Sequence, residues 1–138
     1  MIMPKKDALK DVKLFALDMD GTVYLGNGLI DGALDFIEAL RAQQKDFIFI
    51  TNNSSRGPSF YQEKLKKMGC FVEADRIITS GDVTIEYLKT YYPGQSVYLM
   101  GTPLLEESFR KHGIKLVQEQ PDVAVASFDT TLTYEKLE

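Results

Sequence analysis

A chain of 138 residues that is 44% hydrophobic and 26% charged has the size and composition of an ordinary globular domain, which excludes a disordered polymer. A net charge of −4 argues against nucleic acid, whose binding needs clustered Lys and Arg to replace counterions; the basic pairs Lys5–Lys6 and Lys66–Lys67 read as solvated surface. The single cysteine, Cys70, excludes an intrachain disulfide and a cysteine metal cluster.

The opening segment "MIMPKKDALKDVK" lacks the continuous apolar centre of a secretory signal. No apolar run approaches the roughly 18 residues that span a bilayer. The expectation is a cytoplasmic protein with no membrane partner. "KLFALDM" (13–19) and "DFIFITN" (46–52) are apolar on consecutive positions, which predicts two parallel strands buried on both faces. Between them "DGALDFIEALRAQQK" sets Leu34, Ile37, Leu40 and Arg41 at helical spacing, with Asp31 as the expected N-cap. Residues 14–51 therefore read as a strand–helix–strand crossover that makes the strands parallel neighbours. A second helix is expected in "SSRGPSFYQEKLKKMG", opened by Pro58 and closed by Gly69. A third strand, "RIITS" (76–80), leads to a helix through "VTIEYLKTYY" with Ser80 as its expected cap. The alternation then repeats: strand "SVYLMG", helix "TPLLEESFRKHG" with Thr102 as cap and Pro103 in its first turn, strand "IKLV", strand "DVAVASF". The class is α/β. The last eight letters, "TLTYEKLE", open like a capped helix but stop within about one turn, too short to stand alone. They predict a docked C-terminal turn, or the front part of a longer protein.

The chemistry concentrates in "DMDGT" (18–22). Ligands of open α/β sheets bind beyond the carboxyl ends of the strands. There Asp18 ends the first predicted strand and Thr51–Asn52–Asn53 the second. Paired carboxylates suit a hard cation such as Mg²⁺, which takes oxygen ligands and keeps several waters. An Asp in that place is also a nucleophile toward phosphorus. The Thr51 hydroxyl, the Asn52 amide and nearby backbone N–H groups could grip phosphoryl oxygens, and Gly21 would let the backbone come close to a ligand. Asn27–Gly28 predicts a type I′ hairpin turn just downstream.

"DMDGT", followed some thirty residues later by a strand ending in "TNN", resembles the first two motifs of the haloacid dehalogenase superfamily. "FALDMDGTVYLGNGLIDGA" and "FITNNSSRGP" are similar to its NagD-like, 4-nitrophenylphosphatase subgroup, and a weaker likeness runs through "SGDVTIEYL" and "PDVAVASFDTTLTYEKL". The resemblance implies a Rossmann-like parallel sheet, its N-terminal part in residues 1–80, followed by the beginning of a C2-type α/β cap domain in 81–138. It implies a magnesium-dependent phosphatase that hydrolyses small phosphomonoesters through an aspartyl-phosphate. Asp18 would be the nucleophile and a metal ligand, and Asp20 the general acid and base, its backbone carbonyl a second metal ligand. Gly21, Thr51 and Asn52 would hold the phosphoryl group, and "VYLGNGLI" would be a mobile flap.

The same resemblance calls for a later lysine and a later acidic motif, and no residue here matches either. Gly81–Asp82 with Glu86 imitates the acidic motif. The simpler reading is an Asp in a helix's first turn with Glu86 on the same helix face, and that reading is preferred. Arg56 reads as a solvent-facing loop residue, His112 as the complement of a helix C-terminus, Cys70 as a buried thiol, and Tyr91–Tyr92 as packing at a helix end. Two rivals remain open. One is a phosphotransferase or mutase built on the same strand-end aspartate. The other is a noncatalytic α/β piece that binds a partner, and a homo-oligomer is left open as well.

Overall fold

A computed structural model describes residues 9–138; Lys5–Lys6 lies outside them. The first part runs β1 (Leu14–Asp18), a hairpin of β2 (Tyr24–Leu25) and β3 (Gly28–Leu29), α1 (Ala33–Ala42), β4 (Asp46–Thr51), α2 (Pro58–Lys67) and β5 (Ile77–Thr79). The sheet order is β1-β4-β5 with both pairings parallel, so that Asp18 lies beside Ile50 and Thr51 beside Thr79. Crossovers of one hand, advancing in one direction across a sheet, bring their helices to the same face. Accordingly Ile37 and Leu40 of α1 and Tyr61 and Leu65 of α2 share a single core with Phe47, Phe49 and Met19.

The opposite face is bare. Leu14 is 52% and Ile50 39% exposed, and burial along β1 alternates residue by residue. The expectation of strands buried on both faces therefore holds on one face only. An apolar run records that a strand can be covered twice, while burial depends on what covers it.

The second part runs α3 (Ser80–Tyr91), β6 (Ser96–Met100), α4 (Pro103–Lys111), β7 (Lys115–Leu116) and β8 (Val123–Ala126). Its three strands form a separate parallel sheet in the order β7-β6-β8. Ile85 and Leu88 of α3, Val97 and Leu99 of β6, and Leu105 and Phe109 of α4 make a core of their own. The two parts meet where the Thr102 hydroxyl donates to Ser55 O at 3.1 Å and Phe128 N donates to Ser54 Oγ at 3.3 Å. The chain ends in a 3-10 turn, Tyr134–Lys136. Tyr98 Oη donates to Lys136 O, and Lys136 Nζ reaches Asp129 Oδ2 at 2.7 Å, so the turn is docked on the body. Among the described residues no helix is long and apolar enough to cross a membrane.

Three local expectations shift by one residue. The helix α1 is entered through Gly32 at φ 82° with no side-chain cap, so Asp31 does not cap it. The cap of α3 is Thr79, not Ser80: Thr79 Oγ1 accepts from Asp82 N while the Asp82 carboxylate accepts from Thr79 N. A carboxylate three residues after the cap closes this reciprocal box, and it selects Thr79 over its neighbour. The hairpin turns on Gly26–Asn27, because Tyr24 pairs with Leu29 and Leu25 with Gly28. Gly26 has φ 61° and Asn27 no positive φ, which is the sign pattern of a type II′ turn in place of the expected I′. Pro58, Gly69, Thr102 and Pro103 take the helix-end places expected of them.

Candidate active site

The carboxyl ends of β1, β4 and β5 open into one cavity of about 670 Å³. Asp18, Thr51, Asn52, Thr79 and Ser80 line it, with Ile50, Ile78 and Val83 as an apolar floor. Three of the five expected site residues, Asp18, Thr51 and Asn52, are thus brought together by parallel pairing. The bare sheet face runs straight into this cavity through Ile50 and Ile78.

Asp18 is exposed, and its Oδ2 has the Thr22 hydroxyl at 3.5 Å. Beyond it the chain wraps around one carbonyl: Met19 O accepts from Thr22, Val23 and Tyr24 N at 3.2, 2.9 and 3.2 Å. Met19 is fully buried and anchors this turn in the core. Gly21 has φ 81° with open space where a Cβ would stand. Its N–H is committed to Tyr24 O at 2.8 Å, so its contribution is the left-handed turn and clearance for a ligand, not a free donor. Asp20 is exposed and stands outside the lining of the cavity; its Oδ2 accepts from Tyr24 Oη at 3.2 Å.

Thr51 is buried, and its Oγ1 accepts from Asn53 N at 3.1 Å. Asn53 Oδ1 in turn accepts from Ser55 N and Ser55 Oγ at 3.0 and 2.6 Å. These short-range bonds hold the strand end in a tight turn and leave the Asn52 side chain exposed. Ser80 Oγ donates to Asn52 O at 2.8 Å, tying the start of α3 to the same turn. Tyr61 packs beneath: burial, then the charge of Asp20, raises its phenol above the ordinary value, against the Thr51 hydroxyl and Arg56.

The donor set fits a hard cation in part. The Asp18 carboxylate at the cavity is an oxygen ligand of the kind Mg²⁺ takes when it keeps several waters. Among the described residues no three acidic, His or Cys groups gather into a fuller shell, and neither Asp18 nor Asp20 has an ion-pair partner. The imitation acidic motif is spent elsewhere: Asp82 closes the cap of α3, and Glu86 pairs with Lys89 at 2.9 Å. Arg56 lies over the Phe60 ring, His112 Nδ1 is 2.8 Å from Ser108 O at the end of α4, and the Cys70 thiol is buried, which pushes its pKa up. Sequence reasoning missed Ser80 in the cavity and the Tyr24 hydroxyl on Asp20. Ser80 was legible as a hydroxyl at the end of the third strand; Tyr24 carried no signal beyond an aromatic in an apolar run.

A family model of haloacid dehalogenase-like hydrolases matches residues 15–115. The acid sugar phosphatase of Staphylococcus saprophyticus is 37% identical over 130 residues, covering 94% of this chain and 50% of that protein. The structure of a 4-nitrophenylphosphatase from Thermotoga maritima superposes with a TM-score of 0.88 at 44% identity, over 94% of this chain and 49% of its own. A glycerol phosphate phosphatase from Mycobacterium tuberculosis, solved in complex with magnesium, superposes with a TM-score of 0.82 at 25% identity, over 93% of this chain and 40% of its own. The chain spans about half the length of the relatives it matches.

Proposed function

The chain belongs to the haloacid dehalogenase-like hydrolases, and from that premise we propose that it carries the nucleophile-bearing half of a phosphatase site for small phosphomonoesters. The observation that supports this most is the meeting of Asp18 with Thr51 and Asn52 around one cavity at the carboxyl ends of parallel strands. A carboxylate oxygen of Asp18 attacks phosphorus, the ester P–O bond breaks, and an aspartyl-phosphate forms. Asp20 gives its proton to the departing oxygen. The Asp20 carboxylate then takes a proton from water, whose oxygen attacks the same phosphorus and frees Asp18 and phosphate. The Thr51 hydroxyl and the Asn52 side-chain amide bind the phosphoryl oxygens, with the clearance over Gly21 admitting them.

Mg²⁺, held by the Asp18 carboxylate and the Asp20 backbone carbonyl, would neutralise phosphate charge when bound. The lysine and further acid that complete the charge balance are assigned to residues outside this chain. On this reading residues 1–80 open the catalytic core and 81–138 open a cap, whose remainder would set substrate choice. The names of the relatives, acid sugar phosphatase, 4-nitrophenylphosphatase and glycerol phosphate phosphatase, favour sugar and glycerol phosphates as the substrate class.

The test is chemical trapping. The chain is incubated with 4-nitrophenyl phosphate and Mg²⁺, quenched with borohydride, and digested for mass spectrometry. Conversion of Asp18 to homoserine, absent with EDTA and in Asp18→Asn, is the expected result. Release of 4-nitrophenol that persists undiminished in Asp18→Asn, or homoserine formed at a residue other than Asp18, overturns the reading.

A further inference from the structure

Tyr24 is wholly buried, yet its hydroxyl leaves the core to donate to Asp20 Oδ2 at 3.2 Å. The residue is fixed on three sides. Its N–H bonds Met19 O and its carbonyl accepts from Gly21 N, both within the turn that carries the two aspartates. Over its ring stands Lys64 of α2, with the ammonium 3.8 Å from the ring centroid. A cation on the ring face is held by the π-electrons and draws density from them, which makes the phenol a better donor. Burial, then the charge of Asp20, raises the Tyr24 phenol far above its ordinary value, so the hydroxyl keeps its proton. A phenylalanine would fill the same space; what it could not do is donate.

An exposed aspartate without a partner samples several staggered χ1 wells. A charge-assisted hydrogen bond from a hydroxyl that cannot move favours one well by on the order of tenfold or more. We propose that Tyr24, braced by Lys64, is a positioning residue that confines the Asp20 carboxylate to one orientation. The phenol engages Oδ2 and leaves Oδ1 without a bond from it. In that respect the inference rests on the phosphatase reading, in which Asp20 must present its proton to the departing oxygen at a fixed place.

The experiment reads the side chain directly and needs neither substrate nor metal. Three-bond couplings from the backbone nitrogen and carbonyl carbon to Cγ of Asp20 are measured by NMR on the labelled chain. The expected native values are those of a single staggered rotamer. In Tyr24→Phe they collapse toward the average of three wells, in Lys64→Met they fall between, and the Asp18 couplings stay unchanged. Averaged couplings in the native chain, or native values retained in Tyr24→Phe, overturn the inference. Should Tyr24→Phe fail to fold, the native chain and Lys64→Met decide. Failure of the phosphatase reading appears separately, as homoserine formed at a residue other than Asp18, whatever the Asp20 couplings show.

Discussion

Replacing Thr79 with valine tests the joint on which the site and the second sheet both depend. Thr79 ends β5 beside Thr51, is 2% exposed, and caps α3. Valine keeps the shape and removes two bonds: the one that Asp82 N donates at 3.2 Å, and the hydroxyl's own donation to Asp82 Oδ2 at 2.7 Å. Loss of a cap costs about 1 kcal/mol, and a hydrogen bond to a charged group about 1.5–3 kcal/mol. The Asp82 carboxylate is half-buried and still accepts from Thr79 N at 2.9 Å, so water offsets part of the second loss. The expected net destabilisation is about 2 kcal/mol, read as a lower urea midpoint with an unchanged slope. Asp82→Ala should cost a similar amount, and the double variant less than the sum, with a coupling of about 1 kcal/mol. A loss under about 0.5 kcal/mol for Thr79→Val, or strict additivity with Asp82→Ala, refutes the reciprocal cap and with it the assignment of Asp82 to structure.

The two cores should fail separately. Leu65→Ala and Phe109→Ala empty fully buried positions in different cores, each at a cost of about 2–5 kcal/mol. Amide exchange should rise chiefly in β1, β4 and β5 for the first variant and in β6 and β8 for the second; a uniform rise in both would contradict two separate cores. The C-terminal turn should be released by acid. Burial pushes the Asp129 carboxyl up, but the Lys136 and Thr131 hydrogen bonds outweigh it and hold it below the ordinary 3.8. A lowered folded value means that its contribution is fully present above the unfolded value and is lost as pH falls through the folded one. Amide signals of residues 134–136 should therefore shift only below about pH 4, and Lys136→Met should free the turn at neutral pH. Insensitivity to both acid and Lys136→Met would remove the ion pair from the account.

The parallel pairing of β1 and β4 and the gathering of Asp18 with Thr51 and Asn52 were readable because apolar run length places strand ends, and a crossover places those ends side by side. Other features depended on competition that the letters leave balanced. Thr79 and Ser80 are both good caps, and only the reach of Asp82 decides between them. Gly26–Asn27 and Asn27–Gly28 are both good turns, and the pairing of Tyr24 with Leu29 chooses the first. Tyr24 itself reads as packing, because its sequence says nothing of where a hydroxyl points when the ring is buried. The bare face of the first sheet was illegible for a different reason: the cover a strand receives is not written in the strand.

Electrostatics then constrains how any phosphate can reach Asp18. A phosphate monoester carries about −1.5 to −2 charges at neutral pH, and Asp18 and Asp20 have no ion-pair partner among the described residues. Two like unit charges 4 Å apart repel by about 1 kcal/mol in water and about 4 kcal/mol at an effective dielectric constant of 20. The apolar floor of Ile50, Ile78 and Val83 pushes the cavity toward the second figure. Anion binding must then follow the cation. Inorganic phosphate, titrated against the chain by ³¹P NMR, should bind at least about tenfold more tightly with Mg²⁺ than with EDTA, a difference of about 1.4 kcal/mol. Asp18→Asn removes one of the repelling charges, so in EDTA it should bind phosphate more tightly than the native chain does, while losing the benefit of Mg²⁺. A simple structural defect would weaken binding in both conditions; only relief of repulsion reverses the sign. Native chain that binds phosphate equally well in EDTA would mean that a cationic side chain already faces Asp18, against the arrangement of charges described above.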